Sequence, residues 1–391
     1  MLILLVTNVS FYAQWTVQNS GVTKDLKSVC FANDSVGFAV GGWGTIIKTN
    51  DYGVNWTLPA SVTTEWLNSV FFVNENTGYI VGENGVILKT IDGGNTWVMK
   101  GSGASINFNS VYFLSPNVGY VAGGDETILK TNDGGDTWTT LFSNTSGYLN
   151  SIYFINSVIG FAVGYNGMGL ILKTSDGGTN WVSQPSGTSQ DLTAVRVINA
   201  ATSYATGNGV FLKTIDGGTT WSQQATGNTN LLHSVYFVTE SMGYFTGSTG
   251  GKIYNTLDGD NWTYENAPVI GTLNSLFFTN LHTGYAVGGG GVIVKTNNAI
   301  TDVKEHSTKI STVISPNPFT DITILEVNNS KQFQNIELIL FDMFGQSVKK
   351  MQNIQEGKTI IDRGSLVNGI YFYCLKSENR QIAGGKLVID R

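Results

Sequence analysis

A unit of about 40 residues recurs along most of the chain, and no other feature of the sequence restricts the fold so strongly. Residues 67–97 read LNSVFFVNENTGYIVGENGVILKTIDGGNTW, and residues 108–138 repeat that pattern almost position for position. Such self-similarity is typical of architectures in which each unit buries its apolar surface by packing on its neighbours. The seven copies, spaced 40–43 residues apart, begin at Leu26, Leu67, Phe108, Leu149, Leu192, Leu232 and Leu273.

Each copy divides into four short pieces. They are an L-x-S-V-x-F run, a G-[FY]-x-x-G run, an I-[IL]-K-T run and a run that begins with Trp. Gly separates the pieces, and their apolar and aromatic composition favours strands over helices. A four-stranded unit of this length has the period of a β-propeller blade. The pattern therefore predicts an all-β fold with four strands in every copy.

The position of one tryptophan predicts how the repeats close. The last copy loses its Asp-Gly-Gly-x-x-Trp after Thr296, whereas Trp15 precedes the first copy. We expect the strand around Trp15 to pair beside the Ile293 strand and to complete the last blade, so that both edges are hidden. The prediction is a seven-bladed β-propeller over residues 14–298.

The T-x-D-x-G-x-[TN]-W segments resemble the Asp-box, or BNR repeat. Over residues 14–298 the chain also resembles the propellers of photosystem II assembly and stability factors. The Asp-box is a turn motif in which the carboxylate caps backbone N–H groups and Gly permits positive φ. We therefore expect a structural role rather than metal binding or catalysis for its aspartates, which are Asp51, Asp92, Asp133, Asp176, Asp216 and Asp258.

The composition changes after Asn298. Residues 299–311 form a polar segment that is typical of a linker, and residues 312–391 alternate apolar and polar positions. This alternation predicts six or seven strands in a small Ig-like β-sandwich. An ordinary terminal adhesion domain is one interpretation of such a sandwich.

The C-terminal motifs favour a second interpretation. They resemble the type A sorting domain of cargo that Bacteroidota export by type IX secretion. The resemblance implies Sec export, recognition of residues 312–391 by the translocon, and a secreted or outer-membrane surface location. The residues that carry it include Pro316, Asn317, Pro318, Gly345, Gly369, Tyr371 and Lys386.

The N-terminal residues 1–13 resemble the end of a signal peptide with cleavage near Ala13. A basic segment before the apolar run is lacking, so we expect a truncated leader; a first β-strand is the alternative. No other stretch is long and apolar enough to predict a membrane span in the mature chain.

Charge, cysteine and histidine content limit the ligands and cross-links that we expect. The net charge is −6, and residues 1–310 hold 13 Lys and Arg against 20 Asp and Glu, which disfavours nucleic acid. Cys30 and Cys374 fall in different predicted domains, so we expect no disulfide. The three histidines are isolated in the sequence, and we expect neither a metal nor a cofactor.

Residues that differ between copies are the candidates for function. The residue before each copy should line the rim of the central opening, and the loops between second and third strands should emerge on the same face. These loops add Asp125 and Glu126 to the rim. Exposed aromatic side chains there can stack on sugars or hold a peptide, although they can also pack on neighbouring loops. The candidate binding residues for a glycan or protein ligand are Asp25, Trp43, Trp66, Tyr148, Tyr165 and Asp191.

Two functions follow from this face. The first is a non-enzymatic binding module at the cell surface or in the medium. The alternative is an extracellular glycoside hydrolase that uses rim carboxylates such as Asp25 and Asp191. A sialidase is excluded because its substrate carboxylate needs several arginines, and Arg196 is the only one in the repeats. Arg196 stands where other copies have aromatic residues, so we expect it to lie flat on a neighbouring ring.

Overall fold

The computed structural model describes residues 15–142, 144, 147–299, 311–328, 333, 335–342, 347–377 and 380–390. Within these ranges the chain is built from β-strands and three one-turn 3-10 helices, with no α-helix. It divides into two compact units, unit 1 (Met1–Thr301) and unit 2 (Asp302–Arg391). The 3-10 helices are Gly42–Gly44, Glu83–Gly85 and Gly289–Gly291.

Unit 1 contains seven antiparallel sheets in its described part, one for each copy, and they are numbered here sheets 1 to 7. From sheet 1 to sheet 7, the first strands are β2 (Leu26–Phe31), β5 (Leu67–Phe72), β9 (Phe108–Phe113), β13 (Tyr148–Phe154), β17 (Leu192–Val197), β21 (Leu232–Phe237) and β25 (Leu273–Phe278). The second strands are β3 (Gly37–Gly41), β6 (Gly78–Gly82), β10 (Gly119–Gly123), β14 (Gly160–Tyr165), β18 (Ser203–Gly207), β22 (Gly243–Gly247) and β26 (Gly284–Gly288). The third strands are β4 (Ile46–Thr49), β7 (Ile87–Thr90), β11 (Ile128–Thr131), β15 (Gly169–Thr174), β19 (Phe211–Thr214), β23 (Lys252–Thr256) and β27 (Ile293–Thr296). The outer strands are β1 (Thr16–Gln18) in sheet 7, then β8 (Val98–Lys100), β12 (Thr139–Phe142), β16 (Val182–Gln184), β20 (Ser222–Gln223) and β24 (Thr263–Asn266) in sheets 2 to 6.

The second strands form the most buried layer of unit 1. In all sheets but sheet 4 they are buried along their whole length. Their leading glycine is needed because an aromatic ring from the first strand lies on it: a Cβ at Gly78 would be 2.6 Å from the Phe72 ring. Sheet 5 replaces this pair by Val197 and Ser203, so the smaller side chain coincides with the loss of the glycine.

Serine side chains join the first strands of neighbouring sheets at six of the seven junctions, and Ala194 takes the place of the serine between sheets 5 and 6. The N–H of Val70 donates to Ser28 Oγ of the preceding sheet at 3.2 Å. The same bond links sheets 2–3, 3–4, 4–5 and 6–7. It also links sheet 7 to sheet 1, where the N–H of Val29 donates to Ser275 Oγ at 3.3 Å. Contacts between first strands therefore continue from the last sheet to the first.

The N-terminal strand completes sheet 7. β1 pairs with β27, with Thr16 opposite Lys295 and Gln18 opposite Ile293. Trp15 is buried and packs edge-on against Phe278, with ring centroids 6.2 Å apart. The pairing that the displaced tryptophan predicts is confirmed.

The expectation of four strands in every copy is wrong for sheet 1, which has three. Only an isolated bridge between Lys48 and Thr57 marks the place of its outer strand. Pro59 stands where β8 of sheet 2 has Lys100. Because proline has no N–H, it cannot donate to the ladder, and the strand ends after one pair.

Unit 1 extends to the start of the segment assigned to the linker. Ala299 is buried, its N–H donates to His282 O at 2.8 Å, and its carbonyl accepts from Tyr244 Oη at 2.6 Å. Residues 300–310 of that segment and the signal-peptide segment 1–13 lie outside the described residues.

Unit 2 consists of two antiparallel sheets around one core. Leu325 and Ile361 from one sheet and Leu338, Leu375 and Leu387 from the other belong to the same buried cluster. No helix in the described part of the chain has the length and apolar character to cross a membrane. The sheets contain, in order, β28 (Ser311–Ser315), β29 (Ile322–Asn328) and β32 (Gly357–Asp362), and β31 (Ser347–Met351), β30 (Glu337–Phe341), β33 (Gly369–Ser377) and β34 (Arg380–Ile389).

The contact between Gly78 and Phe72 can be tested by substitution. We expect Gly78→Ala to lower the free energy of unfolding by about 1–3 kcal/mol, because the new methyl group overlaps a packed ring. Adding Phe72→Val, which copies the arrangement of sheet 5, should recover part of that loss in a double-mutant cycle measured by denaturant unfolding. Ser203→Ala is the control and should be neutral or stabilising, since the Ser203 hydroxyl is buried without a partner. Strict additivity of the two changes would contradict the steric explanation.

Candidate ligand-binding face

Each first strand carries a bulge at the residue that follows the Leu or Phe at which its copy begins. In sheet 1, Leu26 pairs with Gly41 and Ser28 with Val40, which leaves Lys27 without a cross-strand partner. The same bulge recurs in the other sheets. A bulge re-aims the side chain that it leaves unpaired. We call these residues the bulge ring: Lys27, Asn68, Asn109, Asn150, Thr193, His233 and Asn274.

Trp43 lies at the tip of the loop between β3 and β4. It has φ 59° and 64% of its surface is exposed. The equivalent residues of sheets 2, 3 and 7 are Asn84, Asp125 and Gly290, which also have positive φ. Those residue types tolerate the left-handed conformation, whereas a bulky side chain there costs about 1–2 kcal/mol. An exposed tryptophan held in this conformation indicates a requirement other than folding.

Trp66 and two lysines extend the surface around Trp43. The indole ring of Trp66 lies against Gly42, so closely that a Cβ added to that glycine would be 3.3 Å from the ring. The ammonium of Lys24 is 5.5 Å from the Trp43 ring centroid, and that of Lys27 is 5.2 Å from the Trp66 ring centroid, both in cation–π geometry. We call Lys24, Lys27, Trp43 and Trp66 the tryptophan–lysine cluster. Sequence reasoning found its tryptophans but missed its lysines.

Three other rim candidates come together in sheets 4 and 5. Tyr148 and Tyr165 pair across β13 and β14, as strand residues rather than loop residues, with ring centroids 6.1 Å apart. Tyr148 Oη donates to Asp191 Oδ2 at 3.1 Å, and Asn150 Nδ2 donates to Asp191 Oδ1 at 3.0 Å. Burial raises the pKa of Asp191, and these two hydrogen bonds oppose that increase.

Asp25, the remaining rim candidate, is held elsewhere. Its Oδ1 accepts a hydrogen bond at 2.8 Å from the N–H of Gly290, in the loop of sheet 7. No described contact joins Asp25 with Asp191. The two carboxylates proposed for hydrolysis therefore serve separate local contacts.

A shallow cavity of about 460 Å³ lies between sheets 3 and 4. Asn107, Asn109, Asp125 and Tyr148 are among the residues that line it. Glu126, next to Asp125, is almost wholly buried, and this burial raises its pKa against the effect of nearby asparagine amides.

Arg196 lies among aromatic rings of the first strands. Its guanidinium carbon is 4.7 Å from the Tyr153 ring centroid and 4.4 Å from that of Tyr236. An Nη donates to Phe237 O at 3.5 Å. Arg196 thus packs flat between neighbouring rings, as its substitution for an aromatic residue indicated.

The Asp-box carboxylates bind within their own turns. Asp92 Oδ1 accepts from the N–H groups of Asn95 and Thr96 at 3.0 and 2.9 Å. Hydrogen bonds from the Thr96 hydroxyl, the Thr96 N–H and the Thr90 hydroxyl, in that order, lower the pKa of Asp92 to about 2. Among the described residues, no group of three or more His, Cys, Asp or Glu side chains is arranged to hold a metal. Equivalent backbone bonds are made by Asp51, Asp133, Asp176, Asp216 and Asp258.

The preceding sheet reaches into these turns. Tyr79 Oη donates to Gly134 O at 2.8 Å, and Lys130 Nζ donates to Gly177 O at 3.0 Å. From the last sheet to the first, Lys295 Nζ donates to Tyr52 O at 2.7 Å. The repeated lysines therefore join sheets on the Asp-box face, whereas the rim and loop residues that vary lie on the other face.

Two of the C-terminal motifs meet in unit 2. Asn317 Nδ2 donates to Lys386 O at 2.9 Å, and the N–H of Val388 donates to Asn317 Oδ1 at 2.8 Å. Pro316 and Pro318 flank Asn317, and the Thr323 hydroxyl donates to the Pro316 carbonyl.

The remaining motif residues lie on or near β33. Gly369 is the first residue of β33, and buried Tyr371 donates through its hydroxyl to Val367 O at 2.9 Å. Gly345 lies outside the described residues.

The repeated sheets define unit 1 as a propeller-type repeat protein, and comparison with known families is consistent with this class. The family of photosynthesis system II assembly factor YCF48 matches residues 7–102 and 58–330, and the chain belongs to this family. The secretion system C-terminal sorting domain matches residues 313–390. This type IX sorting domain indicates export to the cell surface or secretion.

Solved structures support the same architecture. The chain is similar to a structure described as YCF48 bound to D1 peptide, with a TM-score of 0.64 and 21% identity over 74% of this chain and 98% of the other. YCF48 from Cyanidioschyzon merolae gives a TM-score of 0.62 and 20% identity over 73% of this chain and 99% of the other. The WD40 propeller domain of Doa1 gives a TM-score of 0.62 and 12% identity over 73% of this chain and 97% of the other. At these identities the similarity establishes the all-β propeller fold alone. No curated protein matches the chain.

The pKa of Asp191 can be used to test the hydrogen bonds around it. We expect Tyr148→Phe to raise the pKa of Asp191 further, because it removes a hydrogen bond that stabilises the carboxylate while burial persists. Carboxyl NMR titration measures this shift. Tyr165→Phe removes a hydroxyl from the same pair of rings without a bond to Asp191 and should leave the titration unchanged. If the pKa of Asp191 does not rise in Tyr148→Phe, the hydrogen bond from Tyr148 does not stabilise the Asp191 carboxylate.

Asn317 links the proline motif to the last strand of unit 2. We expect Asn317→Ala to accelerate amide exchange of Val388 about tenfold, because the N–H loses its acceptor. Hydrogen exchange followed by mass spectrometry or NMR on the full chain measures the effect. The N–H of Asp390, which donates to Phe319 O at 2.9 Å, is the internal control and should exchange as before. Unchanged exchange at Val388 would contradict this connection.

Proposed function

We propose that unit 1 is a seven-bladed β-propeller whose last blade is completed by β1. The proposal is supported by the seven sheets of the described part, by the pairing of β1 with β27, and by the serine bond that joins sheet 7 to sheet 1. A ring of this kind has no free sheet edge at its junction. The first strands then line a central channel, and the bulge ring lies at one mouth of it.

The propeller is proposed to be a non-catalytic binding module for an extended segment of another protein. The observation that carries this is Trp43, exposed in a left-handed conformation beside Trp66. Exposed tryptophans on a rigid support are typical centres of protein interfaces, and the two lysines complement carbonyl or carboxylate groups of a peptide. The relative described as bound to D1 peptide gives a peptide ligand precedent in this fold.

The hydrolase alternative has less support. Inverting hydrolysis needs an acid and a base about 6.5–9.5 Å apart across a sugar. Asp25 is tied to the Gly290 loop and Asp191 to Tyr148 and Asn150, so each carboxylate has a local partner of its own. A binding module needs no such pair.

Export determines where the module would act. Residues 312–391 are proposed to form an Ig-like sorting sandwich that the type IX translocon recognises, with a leader in residues 1–13 and a linker within residues 299–311. The propeller would then meet its ligand outside the cell, so photosystem assembly is not proposed for this chain.

Substitutions borrowed from other blades test the binding face with little risk to folding. Trp43→Asn copies Asn84, and Trp66→Asn copies Asn107. We expect the double variant to bind peptides selected from a displayed random library at least about tenfold more weakly, since buried interface tryptophans contribute about 2 kcal/mol or more. Surface plasmon resonance with the selected peptides measures the change.

The matched control is Tyr52→Gly. Tyr52 is also an exposed aromatic residue at positive φ, but it lies in an Asp-box turn, and the equivalent residue of sheet 2 is Gly93. Its removal should leave affinity unchanged. Retained affinity in the tryptophan variant would exclude the site, and selective capture of glycans instead of peptides would exclude the ligand class.

A further inference from the structure

The shallow cavity between sheets 3 and 4 shares no residue with the tryptophan–lysine cluster and has no part in the function proposed above. Asp125 and Tyr148 line it together with Asn107 and Asn109. None of the described residues that line it is a lysine or an arginine. The charge of the cavity lining therefore comes from a carboxylate alone.

The hydrogen bonds of the lining residues determine which polar atoms they can still offer to a ligand. Asn109 Nδ2 donates to Leu149 O at 2.9 Å, so the amide oxygen is the atom that Asn109 has left to offer. Tyr148 Oη donates its hydrogen to Asp191 at 3.1 Å, so Tyr148 can offer its ring and an acceptor oxygen but no donor. These two side chains thus favour a ligand that brings its own hydrogen-bond donors.

Asp125 is the charged member of the lining. Its side chain is exposed, and none of the ion pairs among the described residues includes it. Asn107 Oδ1 already accepts from the N–H of Asn84 at 3.1 Å, so we assign Asn107 no contact with a ligand. A carboxylate without a cationic partner, next to an amide oxygen and an aromatic ring, matches a cationic donor group.

The loop that presents Asp125 has an unfavourable backbone conformation. Asp125 and Glu126 have φ of 51° and 48°, in the left-handed region that disfavours residues with a Cβ. Asparagine amides approach the Glu126 carboxyl group, but its buried Oε1 accepts no hydrogen bond within the described part of the chain. Strain of this kind beside a cavity indicates a requirement other than folding. In sheets 1, 2 and 7 the position of Glu126 is held by glycines of positive φ, which are Gly44, Gly85 and Gly291.

We propose that this cavity binds a basic side chain of a protein segment, and an arginine in preference to a lysine. The Asp125 carboxylate supplies the opposite charge, the Asn109 oxygen accepts a hydrogen bond, and the Tyr148 ring provides a surface for cation–π contact. A guanidinium fits best, because its planar set of N–H donors can reach two oxygens while its face lies on a ring. The inference rests on the proposed function in that its occupant is a protein segment, but it needs no contact at the tryptophan–lysine cluster.

The experiment is an NMR titration of the full chain at constant ionic strength, with arginine blocked at both ends as the probe. Chemical shifts are followed at the backbone amides of Gly124, Asp125 and Gly147. We expect a saturable response to blocked arginine and binding of blocked norleucine that is at least about tenfold weaker, since norleucine lacks the charge. Blocked lysine should bind more weakly than arginine, and equal affinity would contradict the preference for a guanidinium.

A second arm of the titration distinguishes a protein segment from a small free cation. It compares the peptide Gly-Gly-Arg-Gly-Gly, blocked at both ends, with methylguanidinium. Tighter binding of the peptide would support a protein segment as the occupant. Equal affinity would assign the cavity to a small free cation and would overturn that part of the proposal.

Two carboxylate variants make the test specific. Asp125→Asn copies Asn84, the equivalent residue of sheet 2, and asparagine tolerates positive φ, so the loop should keep its shape. We expect this variant to bind blocked arginine about fivefold or more weakly, because the charge is lost. Glu83→Gln removes a carboxylate from the corresponding loop of sheet 2, outside the cavity, and should leave the affinity unchanged.

Failure at the cavity and failure at the tryptophan–lysine cluster give different results. The double variant Trp43→Asn, Trp66→Asn should bind blocked arginine as the native chain does. A lost response in that variant would place the arginine at the tryptophans and overturn the proposal. Retained binding of arginine together with unchanged affinity for the selected peptides would count against the tryptophan–lysine cluster alone.

The remaining outcomes bear on the cavity itself. Absence of a saturable response to blocked arginine in the native chain would overturn the proposal. Full affinity in Asp125→Asn, or an equal loss in Glu83→Gln, would also overturn it by showing that only the general charge of the face matters. Thermal unfolding of each variant separates these results from loss of structure.

Discussion

The fold of unit 1 depends on side chains that cross from one sheet into the Asp-box turn of the next. A tyrosine hydroxyl and a lysine ammonium of one sheet bond to carbonyl oxygens of that turn, as Tyr79 does at Gly134 and Lys295 does at Tyr52. The turn can accept them because its own aspartate, held as a carboxylate by backbone N–H groups, keeps the carbonyls in place. No sheet therefore completes its own packing, and seven similar units become one structure.

This dependence divides the molecule into positions that repeat and positions that vary. The serines and the lysines above the tyrosines repeat because they bond to a neighbouring sheet, and the Asp-box aspartates repeat because they hold the turns that accept those bonds. Deviations concentrate on the opposite face, where Trp43 occupies a loop position suited to asparagine or glycine and Lys27 replaces an asparagine. Because the scaffold is stabilised from the other side, such exchanges are tolerated, and the variable face is where ligand recognition can evolve without loss of the fold.

Much of the architecture could be predicted from spacing alone. The displaced Trp15 correctly indicated a strand paired beside Ile293, since a blade that lacks its outer strand must obtain one elsewhere. The outer strand of sheet 1 was predicted wrongly, because Pro59 removes a donor that the surrounding pattern assumes. Tyr148 and Tyr165 were assigned to a rim and a loop, but in sheet 4 the first two strands extend one residue further and pair them.

The sequence by itself determined the repeated sheets, the turn residues and the identity of the C-terminal unit, because these follow from local periodicity and short motifs. Only the tertiary structure decided which side chains share a surface. Asp25 proved to bind a loop of sheet 7, almost the full length of the unit away in sequence. Local patterns specify strands and turns through backbone geometry, whereas the meeting of distant side chains depends on how far each sheet is rotated against the next, which the one-dimensional pattern does not contain.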